Sequence, residues 1–170
     1  RRYLASYGPA TQQDLAHWAG VSQAIAQRWL TSLGDAVVEI YVDSRPMLLL
    51  ADDIGQLEDP SEVDAHWVRL LGKYDPLLLA HKYKDWIIDP TDSAKVWRSG
   101  GRVEAVVLVD GQIAGTWRYR RKTHAIDVTI GMFRAPSAWT GDQLDNEARR
   151  VANHFDLEVG EIAVTSEETL

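Results

Sequence analysis

The strongest constraint on the fold lies between residues 103 and 122. Two β-rich runs, Val103–Val109 and Gln112–Lys122, are separated only by Asp110-Gly111. A two-residue Asp-Gly link is a type I′ hairpin signal, because both turn positions need positive φ and these residue types tolerate it. The two runs therefore pair antiparallel, in a register that the turn sets. Lys122-Thr123-His124 turns the chain once more into Ile126–Phe133, which predicts a three-stranded meander.

Around this meander the periodicity predicts further elements. Trp67–Leu71 reads as a buried strand, Asp75-Pro76 opens helical or turn structure through Lys84, and Pro90-Thr91 opens a short helix ending near Arg98. Thr140 and Gln143 form a capping-box pattern for a helix to about Phe155, with Leu144, Ala148, Val151, Ala152 and Phe155 inward. A last strand, Glu158–Val164, precedes a polar tail.

The N-terminal third is organised differently. Tyr3, Leu4 and Tyr7 share one face of a short helix that Gly8-Pro9 ends. Thr11 caps a second helix, Gln12–Ala19, with Leu15 and Trp18 inward. Gly20 allows a tight turn, and Ser22 caps a third helix to about Leu33, whose apolar face is Ile25, Ala26, Trp29, Leu30 and Leu33. Two β runs follow, Val37–Val42 and Met47–Leu50, joined by Asp43-Ser44-Arg45-Pro46. Helix, helix, turn, helix, hairpin is the order of a winged helix. The expected fold class is α+β: a winged helix (helix-turn-helix plus β-hairpin) in residues 1–54, an acidic connector at 55–65, and an α/β unit with an antiparallel sheet in 66–170.

Composition narrows the function. With 170 residues and 45% hydrophobic content the chain can bury a real core, so disorder is excluded. The absence of cysteine excludes a disulfide scaffold, a thiolate zinc site and a cysteine nucleophile. No apolar run is long enough for a membrane span, and Arg1-Arg2-Tyr3-Leu4 has neither an initiator Met nor a signal-peptide pattern. A cytoplasmic, reducing compartment is expected, and the chain reads as a fragment of a longer protein. The net charge of −7 is unevenly spread. Residues 35–64 hold nine acids and only Arg45, whereas residues 65–134 hold twelve Lys or Arg against seven acids. An anionic partner would bind in the latter block.

Within that block, strand alternation puts Arg118, Arg120 and Lys122 on one face, with Trp117, Tyr119 and Arg121 on the other. Cations about 7 Å apart along a strand can follow a phosphate backbone. Lys95, Arg98 and Arg102 are assigned to the same patch. On the third helix Gln23 and Gln27 are the candidates to read adenine edges, although Arg28 is its only cation. His17, His66, His81, His124 and His154 have no metal-ligand spacing, and no metal site is expected. His81 and Asp85 read as a surface pair. Asp75, Asp85 and Asp89 are the carboxylates worth testing as water-holding groups, and Trp86 and Trp97 read as core residues that could also stack on an extruded base.

Several motifs resemble one family. The segment Arg2-Tyr3-Leu4-x-x-Tyr7-Gly8-Pro9-Ala10-Thr11, followed by Asp14-Leu15-x-x-Trp18-Ala19-Gly20-Val21, is similar to bacterial winged-helix crosslink-repair DNA glycosylases of the AlkZ/YcaQ type. Val68-Arg69-Leu70-Leu71-x-x-Tyr74-Asp75-Pro76-x-Leu78-Leu79 and Val107-Leu108-Val109-Asp110-Gly111-x-x-x-Gly115-Thr116-Trp117-Arg118 carry the resemblance to about residue 135. It implies the C-terminal part of a DNA repair protein that excises alkylated or crosslinked bases from double-stranded DNA without a cofactor. It also implies that the water-positioning Gln-x-Gln or Gln-x-Asp pair lies upstream, so Gln12-Gln13-Asp14 and Gln143-Leu144-Asp145 are chance matches and no catalytic residue is assigned here. A non-enzymatic DNA-binding regulator and a protein-interaction scaffold are the alternatives.

Overall fold

The fold is taken from a computed structural model that describes residues 1–58, 66–135 and 137–166. The part of the acidic connector from 59 to 65 and the tail from 167 lie outside the described residues. Two compact units form, one from Arg1–Val63 with Pro76–Tyr83, the other from Asp64–Asp75 with Lys84–Leu170.

In the first unit, α1 (Arg2–Tyr7), α2 (Gln12–Ala19) and α3 (Gln23–Thr31) precede a ribbon of β1 (Val37–Val42) and β2 (Arg45–Leu50). The start of α2 is locked by reciprocal bonds: Thr11 N–H donates to the Asp14 carboxylate at 2.8 Å, and Asp14 N–H donates to the Thr11 hydroxyl at 3.1 Å. Gly20, at φ 64°, permits the reversal into α3, where Ser22 accepts from Ile25 N–H. Tyr3, Leu4, Leu15, Ala16, Ala26, Leu30 and Leu50 form the core. Trp18 and Trp29, expected inward, are 48% and 47% exposed. The small Ala16 and Ala26 side chains fill the core between the helices, and Trp18 lies at its edge, tilted against the Tyr3 and Tyr7 rings. A short α4 (Ile54–Glu58) occupies the start of the expected connector.

Helix α5 (Pro76–Ala80) also belongs to this unit. His81, expected as a surface partner of Asp85, is instead buried, with its ring Nε2 2.9 Å from the Tyr7 carbonyl. The helix ends at Ala80, so His81 and Asp85 share no helix face.

The second unit is built on a five-stranded sheet in the order β3 (Val68–Leu71), β6 (Val106–Val109), β7 (Gln112–Arg121), β8 (Ala125–Met132), β9 (Glu158–Ser166). Between β3 and β6 lie α6 (Ser93–Val96) and a small ribbon of β4 (Trp97–Arg98) and β5 (Arg102–Val103). Asp110 and Gly111 take φ 49° and 82°, the positive values their turn demands. The expected all-antiparallel sheet needs correction: β9 joins parallel to β8, giving a mixed sheet. The crossover through α7 (Ala138–His154) requires that direction, because a helix of 17 residues returns the chain to the end where β8 began.

Helix α7 covers one sheet face, packing Leu144 and Ala148 against Trp117, Val128 and Ile130. Burying such a leucine contributes about 1.5–3 kcal/mol. The helix begins at Ala138, after Ser137, so Thr140 is not its cap; Thr140 is buried in the first turn, its hydroxyl 2.7 Å from that of Ser137. Glu147 accepts from Leu70 N–H at 3.1 Å, which occupies a donor on the edge strand β3. Among the described residues no helix is long and apolar enough to cross a membrane.

Candidate nucleic-acid interface

The other sheet face is where the cations gather. Strand pairing sets Thr116 opposite Gly131, Arg118 opposite Thr129 and Arg120 opposite Asp127, all on the face away from α7. Parallel pairing brings Ala163 and Thr165 beside Thr129 and Gly131. Except for Asp127, these residues are exposed or half-buried. Lys73, from the turn after β3, and Lys95, Arg98 and Glu104, from the α6–β5 region, border the same face. Together with Thr116, Arg118, Thr129 and Thr165 they line a groove of about 540 Å³.

The groove is cationic and rich in hydroxyls. Four of its lining residues are Lys or Arg against one acid, Glu104. Glu104 receives Lys73 at 3.1 Å and Arg98 at 3.6 Å. The bond from Lys73 is the main reason its carboxyl sits below the usual range; burial opposes this, and the charges of Lys73, Arg98 and Arg102 add to it. Lys95 pairs with the buried Asp92 at 2.9 Å and lies 4.8 Å from the centre of the Phe133 ring. Arg118 makes no ion pair among the described residues.

Farther along β7 the Asp127 carboxylate binds Lys122 and Arg120, each at 2.8 Å, and accepts Glu161 N–H at 3.1 Å. The side-chain bonds from Lys122 and Arg120, in that order, hold its carboxyl far below the ordinary carboxylate range. Two cations share this carboxylate and the charge of Glu161 also acts on Arg120, so this end of the ribbon is close to neutral and the uncompensated charge lies at Arg118. On the opposite face Tyr119 packs on Phe155 at 5.2 Å between ring centres, and Arg121 lies over the same ring.

The chain matches the family described as DNA glycosylase AlkZ-like over residues 1–154. It belongs to the AlkZ-like DNA glycosylase family. A Streptomyces sahachiroi protein described as an interstrand DNA cross-link repair glycosylase is 30% identical over 121 residues, which are 69% of this chain and 32% of that protein. This AlkZ-like chain thus spans about a third of that curated relative's length. The solved structure of Streptomyces sahachiroi DNA glycosylase AlkZ superposes with a TM-score of 0.82 at 23% identity, covering 96% of this chain and 43% of that one. That likeness shows the α+β fold.

The AlkZ-like fold sorts the candidate residues. Arg118, Lys95 and Arg98 line one groove, and Arg120 and Lys122 continue its face. Arg102 joins through its field on Glu104. Gln23 and Gln27 belong to the first unit; the Gln23 side chain accepts from Gln12 at 3.2 Å, and Gln27 donates to the Thr31 hydroxyl at 3.4 Å. Among the carboxylates, Asp89 accepts from the Thr91 hydroxyl and backbone N–H and pairs with Arg134, so it is engaged in a turn. Trp86 is 40% exposed and Trp97 half-buried, so neither is a core residue. Lys73, Thr116, Thr129 and Thr165 are missed by sequence reasoning. Strand alternation could have flagged Thr116 and Thr129 as neighbours of Arg118 once the meander register was assumed; Lys73 carries no local signal. No group of three metal-binding side chains occurs among the described residues.

Proposed function

We propose that this chain is the C-terminal, DNA-holding portion of a DNA glycosylase of the AlkZ type. The intact protein hydrolyses the N-glycosidic bond of alkylated or crosslinked bases, and the cationic sheet face approaches the duplex backbone. In this reading α1 to α3 with the β1–β2 ribbon are a winged helix, a scaffold element that contributes to holding DNA without necessarily reading sequence. The water-positioning Gln-x-Gln or Gln-x-Asp pair belongs to the part of such a glycosylase that this chain does not span.

One observation carries the reading: Arg118 stands in a groove with Lys73, Lys95 and Arg98 against a single acid, in a protein whose net charge is −7. An acidic protein concentrates cations on one open face where a polyanion is to be bound. The adjacent Thr116, Thr129 and Thr165 hydroxyls can donate to phosphate oxygens.

Duplex binding by the chain, followed by fluorescence anisotropy across a salt series, tests this. Affinity should fall steeply with salt, and Arg118→Glu should weaken it about tenfold or more while flattening the salt slope by about one to two units. The melting temperature should stay unchanged, because Arg118 makes no ion pair among the described residues. Wild-type binding that is absent at low salt would return the molecule to the class of protein-interaction scaffolds.

A further inference from the structure

The cations of the open face are mounted on acids that solvent scarcely reaches. The Asp127 side chain is 9% exposed, while Arg120 and Lys122, which it binds, are 75% and 49% exposed. Asp92 is covered in the same way beneath Lys95 and Arg134, and Glu104 is largely covered beneath Lys73 and Arg98. In each case one carboxylate holds two cations from different positions whose side chains stay more exposed than the acid; Arg134 lines a separate hollow with Asp89 and Thr140.

Asp127 is itself immobilised. The pairing of β8 with β9 shifts register between Ile126 and Val128, so β9 carries an extra residue there. The Glu161 N–H at this bulge donates to Asp127 Oδ1. Gly160 brings the β9 backbone so close that an added Cβ would lie 2.5 Å from the same oxygen. These contacts on both oxygens hold the carboxylate in one orientation.

We propose that Asp127 is a positioning residue of the DNA-binding surface, with Glu104 in the same role: each covered acid fixes two cations of the open face before the polyanion arrives. The inference rests on the reading that this face holds DNA. Lys and Arg side chains lose rotamer freedom when they bind phosphate, and chains already held in one geometry lose less. A count of charges gives the opposite expectation, since an acid beside a polyanion repels it.

The sign of one substitution separates the two. Asp127→Asn raises the net charge by one; charge counting expects tighter duplex binding and a steeper salt slope. Positioning expects binding weakened about three- to tenfold at fixed salt. Glu161→Gln adds the same charge on an exposed side chain of this face; its field reaches Arg120 but it forms no direct ion pair among the described residues, so the substitution should tighten binding. In an Arg120→Gln, Lys122→Gln background, Asp127→Asn should no longer weaken binding, because its positioning action passes through those two side chains. Glu104→Gln, across the groove, repeats the measurement should Asp127→Asn not fold.

Anisotropy with a short labelled duplex and the whole chain supplies the readout. Tighter binding by Asp127→Asn, or an equal loss with and without Arg120 and Lys122, overturns the proposal. If Asp127→Asn binds more tightly while Arg118→Glu still loses affinity, only the positioning role fails. If the wild type shows no salt-dependent binding, the DNA reading fails and takes this proposal with it.

Discussion

The phenol of Tyr3 donates a 2.9 Å hydrogen bond to the carbonyl of Ala80, in a buried position and across 77 residues of sequence. Tyr3 stands on the first helix and Ala80 at the end of α5, so this bond helps bring Pro76–Tyr83 to the N-terminal unit. Burial, with smaller contributions from Asp14 and Tyr7, pushes the Tyr3 phenol well above its usual range, and it stays a donor at any working pH.

Tyr3→Phe should therefore destabilise the protein by about 1–3 kcal/mol, because it leaves the Ala80 carbonyl buried without its donor. Urea denaturation gives the measure. An unfolding free energy within a few tenths of a kcal/mol of wild type would mean that water reaches the carbonyl.

Asp14 performs two tasks. It completes the capping box with Thr11, and its other oxygen accepts Lys82 N–H at 2.7 Å. Asp14→Ala should cost more than Thr11→Ala: cap loss is worth about 0.5–2 kcal/mol, and the orphaned Lys82 N–H adds about 1–3 kcal/mol. Equal losses in thermal unfolding would show that the Lys82 contact contributes nothing.

Gly160 and Gly141 should respond in opposite directions to alanine. At Gly160 the new Cβ meets the Asp127 carboxylate, which must shift, and a loss of about 1–3 kcal/mol is expected. Gly141 lies in α7 with nothing within 4 Å, so alanine should stabilise by about 0.5–1 kcal/mol through helix propensity. Calorimetric melting of both variants checks the pair, and a stabilised Gly160→Ala would contradict the close approach.

Acid should unfold the protein in steps that its ion pairs dictate. Lys122 and Arg120 lower Asp127, and Lys73 lowers Glu104. For Asp14 burial acts upward, but the bonds from Thr11 and Lys82 outweigh it and the net shift is down. Folded values below unfolded ones mean stability that is complete above the ordinary carboxylate range and lost as pH falls through it and into the folded values. Stability should thus be level from pH 7 to about 5 and decline below about pH 4. Asp127→Asn should show a shallower decline in urea midpoints between pH 5 and 3; an unchanged slope would remove Asp127 from the account.

The elements legible in the sequence are those whose signals are local. Asp110-Gly111 determines a hairpin because two adjacent residues must take positive φ, and Thr11 with Asp14 determines a helix start because the cap spans a single turn. Alternation along Gln112–Arg121 likewise placed Arg118 and Arg120 on one face, and the motifs shared with the AlkZ-like family were sufficient to name it.

Only the tertiary structure decided what surrounds those residues. That β9 runs parallel to β8, that Lys73 borders the groove of Arg118, and that Gly160 and Glu161 close over Asp127 depend on segments brought together across long stretches of chain. A charge's partner and its burial are properties of packing, to which distant residues contribute as much as neighbours. Hence the cations were visible in the chain's order, and the acids that orient them were not.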